Sequence, residues 1–506
     1  MSTPSDPSGP PAAAEVDRRL HPLSWLFVLL QQLRSFAIPL IVLLVTGRGN
    51  ASEWFGLLGV AVLTLISVAQ YFSYRYRTGP EGLTVRSGIL QRTIREIPYE
   101  RVHTVNRQQT LLHRLFSVTE VRLESAGSKD AEAVMRVLSE TDARLLEELI
   151  REHTARRRQG HTPATETTAL RDEEQLFHLG TADVLRLGVI SNRGMVVVAA
   201  LFGVVWQVAM EGRVSSDNVP VGVLTFLRSV RDIGSAYLVD TAALIVSGAL
   251  LLVVLLTFVR LLSVLLAVLQ FHGFTLVESG RQLRIERGLL TRVRNQLPHR
   301  RIQAWRIDET LLHRWCGRQT LRVDSAAGGG SDERGVRHLA PVATPDALRT
   351  LLDRLMPGSP WPDIAWRPVD PRAWRRLFVM PAMLTLAVMT VSVWQYGATG
   401  LWLAASLPLL LLRARRLAAA SGYAAAEHAV AVRGGWLNRT WALAEITKLQ
   451  TLRMSQSPFD RRLGMATLHL DTAGASSGEG VLRIRFLPET EARDLYDRIA
   501  GWMDGD

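Results

Sequence analysis

Apolar and polar positions alternate on two scales along this chain. Runs over 23–45, 54–72, 195–210, 241–259, 377–394 and 401–412 are apolar almost throughout. Roughly 20 such residues cover the ~30 Å hydrocarbon core of a bilayer, so these runs predict six membrane helices arranged as three hairpins. On the shorter scale, residues 83–86, 91–98, 102–108 and 121–125 are short runs of β-branched or alternating residues and predict strands. Each block of strands gives way to an amphipathic helix, over 144–153, 348–355 and 493–503. Thr141-Asp142, Thr344-Pro345-Asp346 and Thr490-Glu491 suit the caps and first turns of these helices. Leu145, Leu146 and Leu149 share one helical face, as do Leu351, Leu352 and Leu355. That stripe closes one end of a strand core, which is the pleckstrin-homology plan: an open barrel plugged by a C-terminal helix.

The pattern repeats. Gly88-Ile89-Leu90, Pro98, Arg101, Thr110-Leu111-Leu112-His113-Arg114 and Ser125-Ala126 return without a gap as Gly288-Leu289-Leu290, Pro298, Arg301, Thr310-Leu311-Leu312-His313-Arg314 and Ser325-Ala326. A weaker third copy runs from Gly435-Trp436-Leu437 through Lys448 and Arg461 to Thr472-Ala473-Gly474. Repetition of a whole unit fixes the architecture before any motif is considered. The expected fold is a multi-pass α-helical membrane protein with three β-barrel PH-like domains, each antiparallel β plus a C-terminal capping helix. The expected division is a disordered tail over 1–20, hairpins over 21–72, 181–271 and 373–420, linkers over 159–180 and 359–372, and PH-like domains over 73–158, 272–358 and 421–506.

Charge sets the orientation. Arg48, Arg213, Arg228 and Arg231 lie in the loops inside the hairpins. Arg18, Arg19, Arg75, Arg77, Arg156, Arg157, Arg158, Arg413, Arg415 and Arg416 lie on the other side. By the positive-inside rule the termini and all three PH-like domains are expected in the cytoplasm of a cell membrane. The single cysteine, Cys316, permits no intramolecular disulfide and agrees with a reducing compartment. The net charge of +12, almost all arginine, implies anionic partners. With spans present, anionic lipid headgroups are expected rather than nucleic acid.

The Gly-Ile-Leu/Gly-Leu-Leu turn, the Ile-Pro-x-x-Arg-Val/Leu-Pro-x-x-Arg-Ile strand and the Thr-Leu-Leu-His-Arg segment resemble the bacterial PH-like domain once catalogued as a domain of unknown function. Paired spans followed by that domain, repeated within one chain, are similar to the YdbT-type membrane proteins. The third copy departs from the pattern: Glu445 stands where the proline belongs, Lys448 replaces the arginine, and the Leu-Leu-His is lost. The resemblance implies a multi-pass membrane protein linked to cell-envelope stress or to resistance against antimicrobial peptides.

Several positions are candidates for chemistry. Arg101, Arg301 and Lys448 hold one place across the copies, and Arg114, Arg314 and Arg461 another. Guanidinium pairs bidentately with phosphate oxygens, so these could contact lipid; an ion pair or loop hydrogen bond within the domain is the more ordinary explanation. His113 and His313 lack a second ligand at fixed spacing and read as hydrogen-bonded turn residues, not metal ligands. Gly474-Ala475-Ser476-Ser477-Gly478 matches a nucleophile elbow in letters but aligns with loops in the other copies, so no hydrolase is expected. No phosphate loop, dinucleotide fingerprint or HExxH motif occurs, and no cofactor or metal is expected. Arg34, Gln31 and Gln32 interrupt the first span.

Two functions are in play. One is a non-enzymatic scaffold displaying three PH-like domains that bind headgroups or protein partners, such as a smaller PH-like membrane protein or a second copy. The other is a transport or lipid-handling protein whose six-helix bundle does the work, for which Arg34, Gln31 and Gln32 would face a polar cavity.

Overall fold

The computed structural model describes residues 17–19, 75–79, 82–87, 92–125, 133–159, 173–210, 241–325, 338–357, 361–473 and 482–504, with isolated positions between 58 and 69. The first hairpin, with Arg34, Gln31 and Gln32, and the loop 474–478 lie outside the described residues.

The first copy contains β1 (Asp17–Arg19), β2 (Arg75–Thr78), β3 (Gly82–Ser87), β4 (Thr93–Pro98), β5 (Val102–Gln109), α1 (Leu111–Leu115), β6 (Val118–Ser125), β7 (Ala133–Ser139) and α2 (Glu140–Gln159). The second contains β8 (Glu173–His178), α3 (Thr181–Ile190), α4 (Arg193–Met210), α5 (Thr241–Phe271), β9 (Thr275–Ser279), β10 (Gln282–Arg287), β11 (Arg292–Pro298), β12 (Ile302–Glu309), α6 (Leu311–Trp315), β13 (Gln319–Ser325), β14 (His338–Ala343) and α7 (Pro345–Leu355). The third contains β15 (Arg367–Pro368), α8 (Ala373–Tyr396), α9 (Ser406–Ala420), β16 (Gly422–Ala425), β17 (Ala429–Gly434), β18 (Arg439–Glu445), β19 (Leu449–Ser455), α10 (Pro458–Leu463), β20 (Met465–Thr472), β21 (Leu482–Pro488) and α11 (Glu489–Asp504).

The strands form because their side chains alternate. In β10, Leu283, Ile285 and Arg287 point inward while Gln282, Arg284 and Glu286 point outward, so one face packs and the other meets polar surroundings. The closing helix of the second copy behaves as its stripe requires, whereas in α2 Leu145 is 45% exposed and the packed face is Ala143, Leu146 and Ile150. Leu348, Leu351, Leu352 and Leu355 of α7 are buried, and the Thr344 hydroxyl accepts from the amide of Ala347 at 3.3 Å, with Pro345 in the first turn. The first copy differs in its cap: Ser139, not Thr141, accepts from the Asp142 amide at 3.1 Å.

Two features depart from the expected division. First, a strand precedes each hairpin and pairs back across it. Asp17, Arg18 and Arg19 pair with Arg77, Tyr76 and Arg75, β8 pairs with β9, and β15 pairs with β16. The segments expected as hairpins therefore follow the first strand of each domain, and the segments expected as linkers and tail contribute to the sheets. These strands are short and polar, as in Glu-Glu-Gln-Leu-Phe-His, which is how edge strands are composed.

Second, the copies share sheets. The strand orders are β1-β2-β3-β4, then β7-β6-β5-β11-β10-β9-β8, then β14-β13-β12-β18-β17-β16-β15, then β19-β20-β21. Each seven-stranded sheet takes three strands from one copy and four from the next. The joints are β5–β11, where Arg292 faces Gln109, and β12–β18, where Arg439 faces Glu309. The three domains are thus one continuous row.

Among the described residues two stretches, Val246–Phe271 and Ala373–Ala420, are long and apolar enough to cross a membrane. The second comprises α8, a 3-10 turn over Gly397–Ala405 and α9, with α8 and α9 packed together. In α5 the residues 250–256 are each 45–64% exposed, and all are Leu or Val, so every side of the helix needs an apolar solvent. Its other end is protein core: Ala267 and Phe271 are fully buried with Phe274, Leu276 and Leu283. Helix α4 packs on α5 at Gly194, where a Cβ would stand 2.3 Å from the Val259 carbonyl oxygen, and the Gly194 amide donates to Ser263 at 2.9 Å.

Two arginines beside the second pair of apolar helices are engaged by protein. Arg193 donates to Gln270 and stacks 4.6 Å above the Phe271 ring. Arg260 donates to the carbonyls of Val189 and Ser191, at 3.1 and 3.3 Å, closing the end of α3.

Candidate functional site

The most repeated motif of the chain folds into a short helix at the same place in every copy: α1, α6 and α10. Thr110 and Thr310 cap the first two. Their hydroxyls meet the Nδ1 atoms of His113 and His313 at 2.6 and 2.8 Å, and accept from the same residues' amides. His313 Nε2 lies 3.0 Å from the Thr320 hydroxyl, which donates to the Pro341 carbonyl at 2.7 Å. Both histidines are 7% exposed, and they pin the helix to its sheet. Among the described residues no cluster of potential metal ligands occurs. In the third copy Ser457 and Asp460 form the same box, and the Asp460 carboxylate also receives Arg376 at 3.2 Å.

Burial holds the His313 imidazole below its ordinary 6.5, and burial does the same for His299 and His469. The unfolded chain therefore binds more protons than the folded one as pH falls through 6.5. Stability from these groups is complete above that pH and declines below it. Thermal unfolding of the detergent-solubilised chain is expected to be flat from pH 8 to 7 and to fall between pH 6.5 and 5. A His313→Gln variant is expected to be less stable at pH 7.5 by about 1–3 kcal/mol, through loss of buried hydrogen bonds, and to show a shallower acid decline.

Pinning one face of the helix turns the others outward. Leu111 is 51% exposed and Leu115 74%; their counterparts Leu311 and Trp315 are 49% and 87% exposed. Arg114, Arg314 and Arg461 are also exposed. The third copy presents Phe459 beside Arg461 and Arg462. Bare leucine and tryptophan interleaved with arginine on a short helix is a composition suited to the headgroup layer, where aromatic rings and snorkelling cations are both satisfied.

These helices stand beside the spans. Arg376, in the first turn of α8, pairs with Asp460 and stacks 5.3 Å above the Phe459 ring. Arg318, just after α6, reaches Asp183 of α3 at 3.2 Å, and α3 packs on α5. Arg114 donates to the carbonyl of Leu289 at 3.4 Å. That residue belongs to the Gly-Leu-Leu turn, whose Gly288 and Leu289 amides donate to the carbonyls of His272 and Leu269 near the end of α5. The two motifs of the repeat thus meet across a joint, close to where a span enters its domain. Leu289, Leu290 and Leu437 of the turns are exposed as well.

The second set of shared cations lies elsewhere. Arg101, Arg301 and Lys448 end the 3-10 turns that carry the chain from one sheet to the other. Arg101 is exposed, Arg301 is buried, and Lys448 donates to the Arg300 carbonyl of the preceding copy at 3.4 Å. One repeated position therefore has three environments. The histidine and arginine of the motif stand out in the sequence; the exposure of Leu111, Leu115, Leu311 and Trp315 emerges only in the fold. The available signal was three apolar side chains in each five-residue segment, which is too short to bury them all.

A groove of about 680 Å³ opens where the third hairpin meets its domain, lined by Arg367, Asp370, Trp374, Arg415 and Glu491 among others. Arg415 and Arg375 lie 5.2 and 5.6 Å from the Trp374 ring. Burial and the neighbouring Glu491 push the Tyr423 hydroxyl up to about 12, so it stays a donor to that carboxylate.

Comparison with known proteins agrees with this architecture. Residues 26–154, 223–356 and 377–502 each match the family described as Bacterial PH domain. The chain is also similar to the UPF0699 transmembrane protein YdbT of Bacillus subtilis (strain 168), at 21% identity over 94% of this chain and 96% of that one. No solved structure matches it. With three matches covering most of its length, the chain belongs to the bacterial PH domain family, as a transmembrane member that carries the domain three times.

Proposed function

We propose that this chain is a non-enzymatic membrane scaffold whose row of three PH-like domains lies against the cytoplasmic surface of the cell membrane and binds anionic headgroups there, offering its outer face to protein partners. Six spans in three hairpins anchor the row. Work in cell-envelope stress is part of this proposal and is supported by the family resemblance alone. The reading rests on one observation: the buried Thr–His box displays Leu111, Leu115, Leu311 and Trp315 to the outside beside exposed arginines, next to the spans. Single-headgroup contacts of about 1 kcal/mol per cation become effective because the spans hold every domain at the surface.

Trp315→Cys in a Cys316→Ser background, labelled with a polarity-sensitive fluorophore and reconstituted into vesicles, tests it. Shallow-brominated lipids are expected to quench the probe, more strongly when phosphatidylglycerol is included. A probe at Arg349, on the exposed side of α7, serves as the reference. Equal quenching at both positions, or none at 315, would remove the membrane-surface reading.

A further inference from the structure

The row of domains stops at two sheet edges that are the two halves of its own joint. Among the described residues, β4 ends the first sheet and β19 ends the last. Each interior joint pairs a β4-type strand with a β5-type strand of the preceding copy: β11 with β5, and β18 with β12. β4 is the strand equivalent to β11 and β18, and β19 is the strand equivalent to β5 and β12.

The register is the same in both joints. Arg292 faces Gln109, and Arg439, its counterpart 147 positions on, faces Glu309. Carried to the free edges, that register sets Arg92 against Gln456, Thr93 against Ser455, Ile94 against Met454, and Glu96 against Leu452. Ile94 and Met454 fall where the second joint places Trp441 and Ile307 opposite each other. Thr93 and Ser455 fall where Thr440 donates to Asp308 at 3.1 Å. Arg453 would face Arg95, but Arg453 occupies the place of Arg306, which sits inside the second joint and pairs with Asp324 of its own sheet at 2.6 Å. An arginine there is compatible with the joint.

Exposure marks these edges as unfinished. Residues 93–96 of β4 are all exposed, and Ile94 is 59% exposed. In the jointed strands the equivalent residues are half-buried or buried from the second position onward. An open edge with a bare isoleucine is a template for another strand.

We propose that a second copy of this chain completes the joint: β19 of one molecule adds to β4 of the next in the register above, extending the row along the membrane. One chain carries both complementary edges. Every copy also shares the same bilayer and orientation, which confines encounters to the plane in which the joint forms. The contact is head-to-tail, so it closes into a ring or continues as a filament according to the rotation per molecule.

The test uses full-length protein in a Cys316→Ser background, reconstituted in vesicles. Ile94→Cys on one tagged chain and Met454→Cys on a differently tagged chain are mixed and oxidised gently. Directly opposed strand residues have Cβ atoms about 4.5–5.5 Å apart, within reach of a disulfide when the strands flex. A mixed-tag disulfide dimer is expected. Arg95→Cys, whose side chain leaves the other face of β4, is expected to give none with Met454→Cys. Absence of the mixed dimer overturns the proposal, as does equal yield with Arg95→Cys. A disulfide formed only inside a chain carrying both cysteines overturns it in favour of self-closure. Independently, Ile94→Lys is expected to reduce the mass of the detergent-solubilised particle to that of a single chain without changing its circular dichroism. An unchanged oligomer mass in that variant, or a single-chain mass for the parent, also refutes the joint.

Discussion

Replacing Phe271 with alanine is expected to destabilise the second domain by about 3–5 kcal/mol, the cost typical of removing a fully buried aromatic ring. Phe271 is completely buried and is the last residue of α5. Its ring supports Arg193 at 4.6 Å and Arg287 at 5.2 Å, and packs edge-on against His338 at 6.1 Å. Alanine would leave a cavity and would also strip one buried and one half-buried guanidinium group of their cation–π partner. The change is readable as a lowered unfolding temperature in detergent and as early protease cleavage near residue 273. Phe271→Leu fills most of the volume and is expected to recover over half of the loss. If leucine and alanine behave alike, the arginine stacking matters more than the packing.

Gly288→Val is expected to cost about 2–4 kcal/mol, because it combines backbone strain with a steric overlap. Gly288 has φ +107°, and a Cβ there would stand 2.0 Å from the carbonyl oxygen of Thr291. Gly435 repeats the geometry at φ +88° and 1.7 Å from Asn438. Gly280 is the internal control: its φ is +60° but nothing lies within 4 Å of its Cβ position. Gly280→Ala is therefore expected to cost only about 1–2 kcal/mol, the left-handed penalty alone. Unfolding temperatures of the two variants order these terms. Gly280→Ala matching Gly288→Val would show that overlap adds nothing. Since the 288–290 turn both leans on α5 and receives Arg114, Gly288→Val is also expected to loosen the first joint, seen as faster amide exchange in β5 than in β6.

Much of this fold was legible in the residues themselves. The repeat, the β content of each domain, the capped closing helices and the long apolar stretches all follow from local pattern, because each is decided by neighbours a few positions apart. The Thr344-Pro345 helix start is the clearest case: cap, proline and leucine stripe each do what their chemistry predicts. The shared sheets were not legible. Nothing near Gln109 announces that it will face Arg292, since that pairing joins two domains and leaves no periodicity in either strand. The strands ahead of the hairpins were hidden for the opposite reason: Asp-Arg-Arg and Arg-Pro are too short and too polar to register as β without their partners. The site was half visible. His113 was rightly read as a bonded turn residue, but its consequence, the outward presentation of Leu111 and Leu115, needs the three-dimensional anchor to be seen.

Helix α5 has 31 residues, about 46 Å at 1.5 Å per residue, against ~30 Å of hydrocarbon. The remaining third is rigid, unbroken and bolted into the second barrel by Phe271. A bilayer that thins or thickens must change the tilt of this rod, and the rod has no hinge at which to absorb the change. The swing passes directly to β9 and β10, and from there along hydrogen-bonded strands to the first copy. A change in lipid length is in this way expected to tilt the second domain together with the sheet it shares with the first.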